Sequence, residues 1–286
     1  MKKIGIMADS HSGILKQEAE ELDIHVLPMP FYLNGELFHE ILDFSRKGFY
    51  EKLREGADVS TSQPSPQEVM EMWDEMLLSY DQILYIPLSS SLSGSCMTAA
   101  ALSQEPQYKN KVFVVDNGRV STPLHRSILD AIDLVEDGYT AQQIKDILEA
   151  SREKTVIYVG LSTLEYLKKG GRISKSVAMI GGMLSIKPVV TVEDGVVAVL
   201  GKARGSKNGN NLLVKEIQNA GGIDFSLPFW LGYTGINDAL LQKYIQDSEV
   251  LWKDYTEELP ICTIGATIGT HVGPNAVAVA FFGKEG

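Results

Sequence analysis

Cysteine is scarce. The 286-residue chain holds two, Cys96 and Cys262, far apart and in no C-x-x-C arrangement. That excludes a disulfide framework and a thiolate metal site, and suits a reducing compartment. The five histidines include no i,i+3 or i,i+4 pair, so no helix carries two imidazoles on one face. Basic residues are outnumbered, 26 Lys+Arg against 37 Asp+Glu, for a formal charge of −11. This balance argues against nonspecific binding to nucleic acid or to anionic membranes. No apolar run approaches the ~20 residues of a membrane span. The stretch behind Lys2-Lys3, Ile4 to Ala8, is too short for a signal-peptide core. A cytoplasmic protein with no integral membrane segment is expected. Phosphate-loop spacing is missing, and Gly201 to Lys207 reads as a basic turn after a hairpin. Gly265 to Gly273 is glycine-rich without opening a helix, which removes a dinucleotide fingerprint. No G-x-S-x-G elbow surrounds Ser93. Neither a cofactor nor a metal ion is expected.

What the chain has in quantity is hydroxyls, concentrated at one turn. Ser89-Ser90-Ser91-Leu92-Ser93-Gly94-Ser95 follows the apolar run Ile83 to Leu88 and leads into the helix-forming Cys96 to Leu102. A strand, a hydroxyl-rich turn and a helix in that order leave backbone N–H groups at the helix start. There the helix dipole favours a carboxylate or phosphate. A second hydroxyl cluster is Ser60-Thr61-Ser62-Gln63-Pro64-Ser65-Pro66. Its latter half is a helix start: Ser65 caps, Pro66 suits the first helical position, and Glu68 completes a capping box. Thr61, Ser62 and Gln63 are left over to face something else.

Strands alternate with helices through the first half, from Ile4–Ala8 to a second capping box at Thr140 and Gln143. That order predicts a parallel sheet covered on both faces. Asn34-Gly35 marks a tight hairpin turn within the first half. A second unit opens near Thr155, where Ser162 with Glu165 reads as the cap of a short helix. It continues with a hairpin around Glu193-Asp194-Gly195, a helix over roughly Asn211–Asn219 and a long helix from Ile236 to Tyr255. Strands at Cys262–Thr267 and Ala276–Phe282 end the chain. The expectation is a two-domain α/β protein, with a parallel-sheet N-terminal domain over 1–155 and a mixed-sheet α/β domain over 156–286.

Two further charged residues are placed to act in a cleft. His271 sits between Gly269 and Gly273 in a loop joining strands, and Arg172 follows Gly170-Gly171 at a helix end. With Asp9-Ser10, Thr61 to Ser65, Ser89 to Ser95, Tyr166 to Ile173, Lys187-Pro188, Lys202-Ala203-Arg204-Gly205 and Ile268 to Pro274, they stand in the order seen in the DegV family, which the chain resembles over nearly its whole length. It departs from the family at Asp116 to Pro123. There the family has a Ser-rich, Gly-containing helix start, and this chain places Pro123 and His125.

The resemblance implies a protein that binds a long-chain fatty acid without turning it over, as the substrate-carrying subunit of a bacterial fatty acid kinase. Its carboxylate would be presented to a separate ATP-dependent kinase catalytic subunit and become an acyl phosphate. The resemblance places the head group against Thr61, Ser93 and the Ser93–Gly94–Ser95 backbone, with Arg172 and His271 in the surrounding network and Ser62 in reserve. The C-terminal domain would enclose the acyl chain, with the pliable Ile173–Ile186 stretch suited to its tail. Two other readings stay open. One is a serine-dependent lipid hydrolase or acyltransferase using Ser93 and His271, with Asp9 or Asp116 orienting the imidazole. The other is a lipid-sensing regulatory protein.

Overall fold

The computed structural model describes residues 2–152, 155–173, 186–193, 195–235 and 238–282. The Ile173–Ile186 stretch lies, apart from its two ends, outside the described residues. Two compact units are present: Met1–Phe31, Leu37–Asp43 and Ser62–Glu153 form the first, and Tyr32–Glu36, Phe44–Thr61 and Lys154–Gly286 the second. The second unit thus combines the chain from Lys154 onward with two excursions from the first half.

In chain order the first half contains β1 (Ile4–Asp9), α1 (Lys16–Glu21), β2 (His25–Leu27), β3 (Pro30–Leu33), β4 (Glu36–His39), α2 (Arg46–Arg54) and β5 (Val59–Thr61). It continues with α3 (Pro66–Met76), β6 (Gln82–Ile86), α4 (Ser95–Leu102), β7 (Val112–Val114), α5 (Thr122–Glu136) and α6 (Ala141–Ala150). The first unit is built on a parallel sheet of order β2-β1-β6-β7. Strand side chains alternate between faces. Ile6, Ala8, Leu84 and Ile86 accordingly pack with Leu124 and Ile128 of α5 and with Ile144 and Leu148 of α6. On the other face Met7, Ile83 and Tyr85 pack with Val69, Trp73 and Met76 of α3 and with Cys96 and Ala99 of α4. Both capping boxes form, Ser65 with Glu68 and Thr140 with Gln143. The β3–β4 hairpin turns at Asn34 and Gly35, with φ of 53° and 83°, as a tight hairpin of right-handed twist requires.

The second half adds β8 (Thr155–Gly160), α7 (Glu165–Lys169), β9 (Ile186–Glu193), β10 (Val196–Arg204), α8 (Ser206–Asn219) and β11 (Phe229–Thr234). Then come α9 (Asp238–Asp247), α10 (Glu249–Trp252), β12 (Ile261–Thr263), α11 (Ala266–Val272) and β13 (Ala276–Phe282). Its six-stranded mixed sheet has the order β10-β9-β8-β13-β11-β12. One face carries Tyr158, Val189, Leu231, Tyr233, Val277 and Val279 into a core with α8, α9 and α10. By register the opposite face carries Ile157, Val159, Val190, Ala276, Ala278 and Ala280, all of them buried.

Four local expectations change. Ser162 does not cap α7; its hydroxyl donates to Pro274 O at 3.0 Å, and Thr163 Oγ1 accepts from Glu165 N at 3.2 Å. The long helix expected over 236–255 breaks at buried Ser248. That hydroxyl donates to Tyr244 O at 2.6 Å and accepts from Trp252 Nε1 at 2.9 Å, so a side chain competes with the helix ladder for its carbonyl. The supposed basic turn at 201–207 is strand through Arg204 and helix from Ser206. The glycine-rich stretch after Gly265 does open a helix, α11, which places His271 in a last helical turn rather than a loop.

Candidate functional site

In the first unit, β1 pairs with β2 on one side and β6 on the other, so connections leave these neighbours in opposite directions. In open parallel sheets the carboxyl ends of strands at such a switch point form a ligand crevice. Asp9 ends β1 with a fully buried carboxylate. Its Oδ2 accepts from Leu88 N at 2.8 Å, and its Oδ1 accepts from His11 N at 3.0 Å and lies 3.1 Å from His11 Nδ1. Ser10 Oγ donates to Glu40 Oε2 at 2.7 Å and accepts from Met29 N at 3.1 Å. The loop after β7 joins them: Ser89 N donates to Arg119 O, and Ser121 N to His11 O, both at 3.1 Å. That loop is the segment departing from the family pattern. Arg119 pins it from inside, donating to Ser127 Oγ at 2.8 Å and Ser151 O at 2.9 Å. Burial lowers the pKa of this guanidinium from its ordinary value.

The serine turn stands on this base. Leu92 N and Ser93 N both donate to Ser89 O, at 3.1 and 3.2 Å. Ser90 donates to Asp116 through its amide at 3.2 Å and its hydroxyl at 2.5 Å. Arg152 Nη1 lies 3.3 Å from the same carboxylate. Burial pushes the Asp116 carboxyl up, but the two Ser90 hydrogen bonds and the Arg152 charge outweigh it and hold the pKa below 3.8. Ser93 Oγ lies 3.0 Å from Ser95 Oγ and accepts from Ser95 N at 3.2 Å. Gly94 is the N-cap residue of α4 and has no side chain to cap it with, so the Ser95 amide is met by Ser93 instead. A Cβ on Gly94 would lie 3.2 Å from Gln63 Oε1, which accepts from Thr98 Oγ1 at 3.2 Å. Gln63, left over by the α3 cap, thus packs on the serine turn.

In the second unit α11 delivers His271. Tyr50 of α2 donates to Ile264 O at 2.8 Å and Gly265 O at 3.2 Å, and Arg46 donates to Thr263 O at 2.8 Å. A Cβ on Gly269 would lie 2.5 Å from the Tyr50 hydroxyl, so the helix can seat there only with glycine. Gly273 ends the helix at φ 75°, its carbonyl accepting from Thr234 Oγ1 at 2.7 Å. Held this way, His271 Nε2 lies 2.8 Å from Thr61 Oγ1 at the end of β5. The other edge of the imidazole rests on Gly170, where a Cβ would fall 2.0 Å from Nδ1. Arg172 Nη1 donates to the carbonyl of that same Gly170, and burial lowers its pKa from the usual value.

The predicted residues therefore fall into two sets. Ser93, Gly94 and Ser95 form one turn of the first unit. In the second, His271 and Arg172 meet at Gly170, and Thr61 bonds the far edge of the imidazole. Ser62 is exposed. Gln63, left over with Thr61 and Ser62, lies against Gly94 and Thr98; Tyr50 and Gly170 act by fitting against a glycine or a ring, which leaves no mark in a motif. Asp9 and Asp116, considered as orienters of a catalytic imidazole, are engaged by His11, Leu88, Ser90 and Arg152. Among the described residues no group of three His, Cys, Asp or Glu side chains could hold a metal ion, and no helix is long and apolar enough to cross a membrane.

Comparison with known proteins places the whole chain. The family model described as "Uncharacterised protein, DegV family" matches residues 3–284. A DegV domain-containing protein of Caldanaerobacter subterraneus is 30% identical over 286 residues, covering 98% of this chain and 99% of its own length. A DegV family protein from Thermus thermophilus, described for its fatty acid binding, has a TM-score of 0.84 at 30% identity, covering 99% of this chain and 100% of that one. DegV from Bacillus subtilis, described as a fatty acid binding protein, has a TM-score of 0.82 at 26% identity, with the same coverage. The order of motifs, the two-unit α/β architecture and a family match running almost end to end agree: the chain belongs to the DegV family.

Proposed function

We propose that the protein binds a long-chain fatty acid and presents its carboxylate to a separate ATP-dependent kinase, which forms the acyl phosphate. The observation that carries this reading is a connected set of a hydroxyl, an imidazole and a guanidinium: Thr61 bonds His271, and His271 and Arg172 both meet Gly170. The Thermus and Bacillus relatives described as fatty acid binding support it. A carboxylate approaching a chain of net charge −11 meets an unfavourable overall field, so local donors are needed to offset its lost hydration. We assign that task to Thr61, Ser93, Gly94, Ser95, Arg172 and His271, with Ser62 in reserve. Ser93 and Ser95 supply hydroxyls beside the start of α4. The acyl chain suits the sheet face of Ile157, Val159, Val190 and the alanines of β13. A 16-carbon chain buried there contributes on the order of 10 kcal/mol gross, at about 0.8 per CH₂, before ordering costs. Affinity then comes from the tail and orientation from the head.

Mass spectrometry of denatured protein purified gently should release long-chain fatty acid; a consistently empty protein defeats the reading. Ser93→Ala and His271→Ala should each weaken fatty-acid binding about tenfold, as the loss of one hydrogen bond to a charged group does. If both bind as wild type, the head-group assignment is wrong. The kinase step is tested separately. A purified fatty acid kinase catalytic subunit should consume ATP with fatty acid only when this protein is added.

A further inference from the structure

The motif Lys202-Ala203-Arg204-Gly205 has no part in the site so far. Lys202 sits on β10 opposite Pro188 of β9, so by strand alternation it shares the sheet face of Val190, Val159 and Ala278. Its row lies one step beyond Gly160, where Leu161 N donates to Pro188 O at 2.9 Å. At this end of the sheet β8 leaves toward α7 and Gly170, and β13 arrives from α11 and His271. The Nζ of Lys202 is shielded from solvent and has no hydrogen-bond partner among the described residues. An ammonium withdrawn from water without an acceptor is costly, and an anion resolves that cost.

We propose that Lys202 Nζ receives an anionic oxygen of the ligand's head group, carboxylate or phosphoryl, as a further cation at the polar end of the acyl face. The proposal rests on the fatty-acid reading and adds a residue to it. Lys202→Met keeps the length and apolar stem of the side chain and removes the charge. Wild type, Lys202→Met and Lys202→Arg, stripped of lipid, would be titrated with palmitate, hexadecyl phosphate and hexadecanol. Lys202→Met should weaken one or both anionic ligands by about tenfold or more and hexadecanol by less than about twofold. Lys202→Arg should keep most of the anion affinity. A loss confined to hexadecyl phosphate assigns Lys202 to a phosphoryl group; a loss with palmitate assigns it to the carboxylate. The ligand-free Lys202→Met protein should unfold at the same or a higher temperature, since it sheds an unpaired buried charge. Equal weakening of all three ligands, or of none, overturns the proposal. Failure of wild type to bind palmitate would instead sink the fatty-acid reading itself.

Discussion

Gly170 and Gly171 look interchangeable in the sequence and are not. Gly171 has φ 71°, so there the backbone requires glycine. Gly170 has φ −74° at the end of α7, a conformation any residue adopts. What excludes a side chain is the His271 ring, 2.0 Å from a built Cβ at Nδ1 and 2.7 Å at Cε1. Gly170→Ala is therefore expected to push the imidazole off Thr61 while leaving the helix end sound. Fatty-acid affinity should fall about as far as in His271→Ala, while stability changes by no more than about 1 kcal/mol, since alanine at a compatible φ is itself slightly favourable. Isothermal titration beside denaturant unfolding checks this, and an unchanged affinity would show that Gly170 does not seat the ring. The same contrast marks how far the sequence could be read. Hydroxyls, cations and cap residues stand out by type, so Thr61, Ser93, Arg172 and His271 could be named as candidates once the family resemblance joined them, and Ser65 with Glu68 forms the capping box expected of them. A glycine present for want of a Cβ has no signature, because the ring it accommodates lies 101 positions away in the chain.

At the scale of elements, the parallel sheet and both capping boxes followed from periodicity and local chemistry, which act over a few residues. Helix α11 did not. Ala266 to Val272 contains two threonines, an isoleucine, a valine and a glycine, all poorer helix formers than alanine. Its helix is imposed by the Tyr50 and Arg46 hydrogen bonds at its start and the Thr234 bond at its end. The serine turn likewise depends on a partner from another loop, Asp116. Because that carboxyl titrates below its ordinary 3.8 in the folded protein, its contribution is fully present above the unfolded value and lost as pH falls through the folded one. Wild type should lose stability on acidification below about pH 4. Asp116→Asn should be less stable near neutrality and show a shallower acid dependence. Urea unfolding across pH 3–7 measures this; parallel curves for the two proteins would show that Asp116 contributes nothing to it.

At the scale of the whole molecule, the second unit is not a contiguous stretch of chain. Residues Phe44–Thr61 belong to it, and they carry specific bonds rather than general bulk. Tyr50, 1% exposed, hands its hydroxyl to the carbonyls that open α11. Arg46 donates to the last residue of β12, Lys169 of the Gly170 helix pairs with Asp58, and Thr61 holds His271. A fragment of residues 155–286 keeps the six-stranded sheet and its core with α8, α9 and α10, yet loses every one of these ties. The core alone supports a collapsed fragment; it does not support α11, whose poor intrinsic propensity leaves it dependent on α2. The fragment is expected to show less helix by circular dichroism than the full chain does over the same residues. Its amides in α11 should exchange with solvent far faster, and it should bind no fatty acid. Linking residues 44–61 ahead of the fragment through a flexible Gly/Ser segment should restore protection of α11. A bare fragment with full-chain protection at 266–272 would show instead that the helix stands without its clamp, and that the chain divides simply at residue 155.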